Sequence, residues 1–431
     1  MVSRRAFLGA AGVLAATASG CSGVLGLGPT VRVAVSWSGG ELQAFRSVLD
    51  ALGIRDYDYQ LIPLGDDIST AFGPRAAQRP DVVMLPQPGL VGRYLEDLEP
   101  LPEGTIPDTS PYGEVWDGLL RPGNSPWYGL PFKIAHKSTV WYRKSVFEAN
   151  DLTPPTLWSD WLELNKILSS RRIAPLALAG ADGWMLTDFF ENVLLGCAPD
   201  AYEKLALAGA EPKLSDESAV AAVEQALRLL GRMWAAPGTL AGGVTSSLVQ
   251  QFSDAVVEVF GYRRAAMVVA PDFAEPVVRR FAADPGDIGV FTFPAVDGDS
   301  VDPAPGSAPP VVVGGDVAVL TTPAGEQARD LVQRLAGQRA ALPWIGRGGF
   351  LAADERVLVD QYSAELEPLA RQLAGDTASI RFDLSDQLGP LGGSERLWRV
   401  LQDFLFQVGG SGENVVSHAR EAVRRLREFE G

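Results

Sequence analysis

Between residues 31 and 95 short apolar runs alternate with amphipathic ones, and that alternation confines the chain to a small set of folds. Val31-Arg32-Val33-Ala34-Val35 predicts a strand, 41–52 a helix and Tyr59-Gln60-Leu61-Ile62 a second strand. Residues 67–78 then predict a helix, Asp81-Val82-Val83-Met84-Leu85 a buried strand and 88–95 another helix. Strands that alternate with helices return to the sheet by right-handed crossovers, so a mostly parallel, helix-covered sheet is expected. Such sheets take ligands beyond the C-terminal ends of their strands. Here those ends are Ser36-Trp37-Ser38-Gly39-Gly40-Glu41, Pro63-Leu64-Gly65-Asp66-Asp67 and Pro86-Gln87.

The chain then changes character. An extended stretch rich in aromatic and β-branched residues runs over 127–142, followed by helical patterns at 158–168, 186–195 and 218–234 and a buried strand at 265–269. Residues 296–310 are acidic and rich in Pro and Gly, which predicts a surface loop, and Val311 to Leu320 reads as a strand directly after it. Helices are expected over 324–335, 365–373, 394–406 and 413–429. This order predicts an α/β protein of two lobes with a ligand cleft between them and several interlobe crossings. The boundaries read from it are 31–139 with 311–340 for the N-terminal lobe, and 140–310 with 341–431 for a helix-rich C-terminal lobe.

The first residues carry two export signals. Ser3-Arg4-Arg5-Ala6-Phe7-Leu8 fits the paired-arginine export pattern, and Ala18-Ser19-Gly20-Cys21 resembles the box in which a cysteine is lipidated and becomes the mature N-terminus. Residues 1–20 are therefore expected to be a cleaved signal and 21–30 a lipidated tether, placing the protein on the extracytoplasmic face of the cell membrane. The apolar stretch 2–14 falls well short of the roughly 20 residues that cross a bilayer. The formal net charge of −16 argues against nucleic acid or an anionic membrane face as the main partner. With Cys21 lipidated, Cys197 is left alone in the apolar run 193–197, expected as a buried small residue with no internal disulfide. The two histidines, His136 and His418, lie far apart, and no metal-binding, phosphate-loop or nucleophile-elbow motif is present, so no metal and no cofactor are expected.

Several strings in colinear order resemble one family. Asp81-Val82-Val83 through Leu98, Tyr128-Gly129-Leu130-Pro131-Phe132, Val140-Trp141-Tyr142-Arg143-Lys144, Pro154-Pro155-Thr156-Leu157-Trp158-Ser159-Asp160-Trp161 and Arg264-Ala265-Ala266-Met267 are similar to the sugar-binding lipoproteins of ABC importers. Gly314-Gly315-Asp316, Trp344 with Gly348-Gly349-Phe350, and Arg381-Phe382-Asp383-Leu384-Ser385-Asp386 resemble its α-glucoside-binding branch, although Gln387-Leu388-Gly389-Pro390-Leu391 departs from that branch. The resemblance implies a monomeric two-lobe binder that closes on a saccharide. It further implies a partner permease in the membrane, driven by a cytoplasmic ATPase.

A sugar presents apolar C–H faces ringed by hydroxyls, so its site needs aromatic platforms beside carboxylate or amide partners. Trp37 with Glu41, Trp184 with Asp188, and Asp316 after its two glycines are the leading candidates; core packing and helix capping are the competing readings for them. Trp344, Arg347 and Asp383 follow, with Asp272, Phe273, Trp141, Tyr128, Asp66 and Gln87 as weaker ones. The alternatives are a glycoside hydrolase working through carboxylates such as Glu41, Asp188 and Asp316, and a carbohydrate adhesin or sensor. No residue is assigned as catalytic.

Overall fold

The first strand is hydrophobic on both faces, and the reason is that sheet and helices enclose it. β1 (Thr30–Val35) buries Val31, Val33, Ala34 and Val35 and pairs in parallel with β2 (Asp58–Pro63) and β3 (Val82–Leu85). The computed structural model describes residues 28–72, 79–107, 110–207, 214, 216–297, 309–375, 380–388, 391–393, 396–411 and 414–428. The expected export signal, Cys21 and most of the expected tether lie outside the described residues.

The remaining strands are β4 (Leu98–Glu99), β5 (Gly129–His136), β6 (Thr139–Arg143), β7 (Ala174–Ala177), β8 (Ala265–Val269), β9 (Ile288–Thr292), β10 (Val311–Thr321), β11 (Leu351–Ala352) and β12 (Ile380–Phe382). They form two sheets, as a two-lobe α/β fold requires. The larger runs β11-β5-β10-β3-β1-β2, with β4 and β12 also paired to β10; the smaller runs β7-β8-β6-β9. The expected parallel character holds for β1, β2 and β3, but β10 is antiparallel to β3, β4 and β5, so the larger sheet is mixed. All 11 residues of β10 are buried, as its position in the middle of that sheet demands.

Helix Gly39–Ala51 covers the larger sheet through Ala44, Phe45, Val48 and Leu49, which recur at helical spacing. The two helices expected next are tighter 3₁₀ segments, Gly65–Ala71 and Pro88–Asp97. In the second, Pro88, Gly89 and Gly92 weaken α-helix formation, and a Cβ on Gly89 would lie 2.9 Å from the Asp386 carbonyl oxygen.

The chain passes between the sheets three times. Residues 137–138 lead from β5 to β6, residues 293–310 return to β10, and from Asp383 onward the chain leaves β12 for helices Leu397–Ser411 and Val415–Glu428, which pack on Glu217–Trp234. The reading that 341–431 belongs wholly to the second lobe is corrected here. β11 and β12 extend the larger sheet, and helix Leu342–Ile345 packs on Gly39–Ala51, so 341–382 lies with the first lobe. Cys197 is buried as expected, and burial pushes its thiol up to about 12.

Candidate functional site

A cleft of about 280 Å³, partly open to solvent, lies between the sheets. Its floor comes from strand alternation. Lys133, Ala135 and Lys137 follow one another at every second position of β5 and its exit and line the cleft, while Ile134 turns to the opposite side. Asp316 on β10 is the cross-strand partner of Lys133. Gly315 beside it must lack a side chain, because a Cβ would stand 2.5 Å from the Lys133 carbonyl oxygen and 2.6 Å from the Trp116 ring.

Two ammonium groups organise the charge. Lys133 Nζ lies 3.0 Å from Glu41 Oε1, and burial works against its charge while Glu41, Asp316 and Asp272 outweigh that and hold it protonated. Burial pushes the Asp316 carboxyl up to about 7, against the pull of Lys133. Lys137 contacts Asp383 and lies 3.1 Å from Asp188 Oδ1. Burial opposes the Lys137 charge too, but Asp188, Asp383, Asp386 and Glu191 keep it well above the ordinary lysine range. Asp188 is pushed up to about 7 by burial, whereas Asp383, despite burial, is held low by Lys137.

Residues after β12 complete this wall. Asp383 accepts from Ser385 Oγ at 2.5 Å and from the Asp386 amide at 3.1 Å, and Gln87 Nε2 donates to Asp386 Oδ1 at 3.2 Å. Behind them Glu191 accepts from the Leu384 and Ser385 amides at 2.7 and 2.9 Å. The aromatic wall is Trp184, Phe273 and Trp398. Trp184 packs on Phe252 and Phe273 with centroids 5.4 and 6.0 Å apart. Trp398 sits over Gly183, whose φ of +70° and lack of space for a Cβ, 2.7 Å from Trp398 Cβ, both favour glycine. Flat apolar rings in one cleft with carboxylates and an amide are the chemistry that grips a polyhydroxy ring.

Of the residues singled out in the sequence, Trp37, Glu41, Gln87, Trp184, Phe273, Asp316 and Asp383 line the cleft, and Asp188 stands directly behind Lys137. Five others lie elsewhere. Trp141 is fully buried in β6, its Nε1 donating to the Ala270 and Pro271 carbonyls at 3.1 and 3.2 Å. Asp272 is buried and accepts from the His136 amide at 2.6 Å. Trp344 packs in the core between Trp37 and Phe350, centroids 4.7 and 4.9 Å away, so it is not a platform for ligand. Tyr128 packs half-buried on the first lobe's core, and Arg347 is exposed; neither lines the cleft. The side chain of Asp66 lies outside the description, although its neighbour Gly65 lines the cleft.

Lys133, Lys137, Ser385, Asp386 and Trp398 are among the further residues that line the cleft. The two lysines had a legible signal, since charges four apart along β5 and its exit, in a largely apolar stretch, need a reason to be there. Among the described residues no group of three or more His, Cys, Asp or Glu could hold a metal ion.

Comparison with known proteins agrees with this architecture. The alpha-glucosides-binding periplasmic protein AglE of Rhizobium meliloti is 27% identical over 431 residues, spanning 92% of this chain and 87% of that protein. The osmoprotective compounds-binding protein GgtB of Synechocystis sp. is 25% identical over 351 residues, 78% of each chain. The GacH receptor of Streptomyces glaucescens superposes with a TM-score of 0.69 over 93% of this chain and 99% of its own, at 15% identity, a likeness of fold. Residues 65–340 match the bacterial extracellular solute-binding protein family, and with two lobes, three crossings and a cleft between them the chain belongs to that family.

Proposed function

We propose that the cleft captures a neutral saccharide, with α-glucosides the first class to test, and that the loaded protein delivers it to an ABC permease in the membrane. Membership of the solute-binding family makes this a binding protein rather than an enzyme. The observation that carries the saccharide reading is that Trp184, Phe273 and Trp398 line one cleft together with Asp316, Asp386 and Gln87. The similarity to an alpha-glucosides-binding protein supports the class, and the similarity to an osmoprotective compounds-binding protein widens the panel to small polyhydroxy solutes. Closure of the lobes on the ligand would present a two-lobe surface to the permease, driven by the ligand's higher affinity for the closed form.

Calorimetric titration with mono- and oligosaccharides tests the reading. Saturable binding without turnover of the sugar is expected; failure of every saccharide to bind the folded protein, or protein-dependent hydrolysis, would overturn it. The N-terminal export pattern and Cys21 support attachment to the outer face of the membrane through lipid. Replacement of Cys21 by Ser should abolish incorporation of labelled fatty acid and release the protein from the membrane fraction.

A further inference from the structure

The side chain of Lys133 is 3% exposed and its ammonium is already surrounded by what a bound organic cation would seek. Nζ lies 4.8 Å from the Phe273 ring centroid and 5.2 Å from that of Trp344, within the range of cation–π attraction. Glu41 Oε1 is 3.0 Å away, and Asp316 and Asp272 add their negative charge. The two rings come from different sides: Phe273 follows β8 of the smaller sheet, and Trp344 belongs to the helix on the larger one. Aromatic faces with carboxylates are the chemistry that recognises substituted ammonium ligands. Here the protein fills that box from within.

We propose that Lys133 sets the charge class of the ligand: its own ammonium occupies an aromatic and acidic box, so that a cleft otherwise suited to an organic cation takes neutral polyhydroxy solutes. This deepens the saccharide reading and rests on the same cleft. It follows that truncating Lys133 leaves a vacancy beside two rings and the Glu41 carboxylate, with Asp316 and Asp272 adding negative charge from further off, whereas an apolar chain of similar length fills the space without restoring the charge.

The test uses ethylammonium and tetramethylammonium chlorides as probes, with sodium chloride at equal ionic strength as the control. Lys133→Ala should melt below the parental chain and regain stability in a dose-dependent manner with ethylammonium. Calorimetry should give it an affinity for that cation on the order of tenfold or more above the parental chain. Lys133→Met, which fills the vacancy, and Lys133→Ala combined with Phe273→Leu, which removes one ring, should each lose most of that gain. The proposal is overturned if neither cation acts on Lys133→Ala beyond sodium, if the parental chain responds equally, or if the response survives loss of Phe273. A chain too unstable to purify is assayed by cation-dependent refolding from urea, with the same outcomes. Because the probes are cations and the variants are compared with one another, these results stand apart from whether the parental cleft binds a saccharide.

Discussion

Asp316 lines the cleft and titrates in a range where folding and pH meet. Its carboxyl lies at about 7 in the folded chain because burial outweighs Lys133, far above the ordinary value for an aspartate in an unfolded chain. Between about pH 4 and 7 the folded state therefore binds the extra proton, so this group's contribution to stability is full below about pH 4 and is lost as pH rises through about 7. Replacement with Asn should flatten the fall of unfolding free energy across that window, read from urea midpoints at successive pH values; an unchanged slope would refute the assignment. In sugar titrations the same variant should reorder the ranking of sugars at a cost of about 1 to 3 kcal/mol. Trp184→Ala should instead weaken a broad range of sugars together, since a ring reads only the apolar face. The sequence could name Trp37, Trp141, Trp184 and Trp344 but could not separate them. All four are tryptophans at element ends or in strands, and only packing decides that Trp184 looks into the cleft while Trp344 is 1% exposed behind Trp37. For Lys133 and Lys137 the sequence shows only two charges in an apolar stretch, while the carboxylates that stabilise their burial lie more than 40 residues away in the chain.

Among the elements, β10 carries the most demands. It pairs with β3, β4, β5 and β12 and presents Asp316 to the cleft. Its register shifts between Asp316 and Val317, opposite β5, at the point where Gly315 lets the two backbones approach. Gly315→Ala should destabilise the protein by about 1 to 3 kcal/mol, because the new Cβ has backbone on one side and the Trp116 ring on the other. Denaturant unfolding measures this, and a neutral result would mean that the strand pair relaxes more freely than its burial suggests. Long elements with a strong period, such as β1, β10 and Glu217–Trp234, were legible from sequence because their own residues set them. β11 and β12, with two and three residues, were not, and they are what draws 341–382 to the first lobe. A strand that short has no period of its own, and its identity comes from the strand it pairs with.

At the scale of the whole molecule, the junction of the crossings is held by Lys137. It sits in the first crossing, reaches Asp383 at the start of the third and Asp188 on helix Trp184–Cys197, and it flanks β10, where a Cβ on Gly314 would lie 2.8 Å from its Cε. Asp386, pushed up first by burial and then by Asp383, and Glu191, pushed up by the same two influences, add further acid with no second ammonium at the junction among the described residues. Lys137→Met would keep most of the volume and remove the cation that, among the described residues, all these carboxyls share. Breaking a buried pair by removing one partner costs about 3 to 5 kcal/mol, because the charges left behind have neither water nor counterion. The loss should be smaller at pH 5 than at pH 8. Without Lys137 the folded-state carboxyls shift further up, so at pH 5 they escape the penalty by holding protons, whereas at pH 8 they must either ionise in a dry site or hold protons against the solvent. Unfolding by urea at both pH values, compared with the parental chain, gives the two differences directly. Equal losses at pH 5 and pH 8 would show that Lys137 acts by packing and not by charge. A loss concentrated at pH 8, with weaker sugar binding at that pH, would tie the charge balance of the crossings to the closure of the cleft.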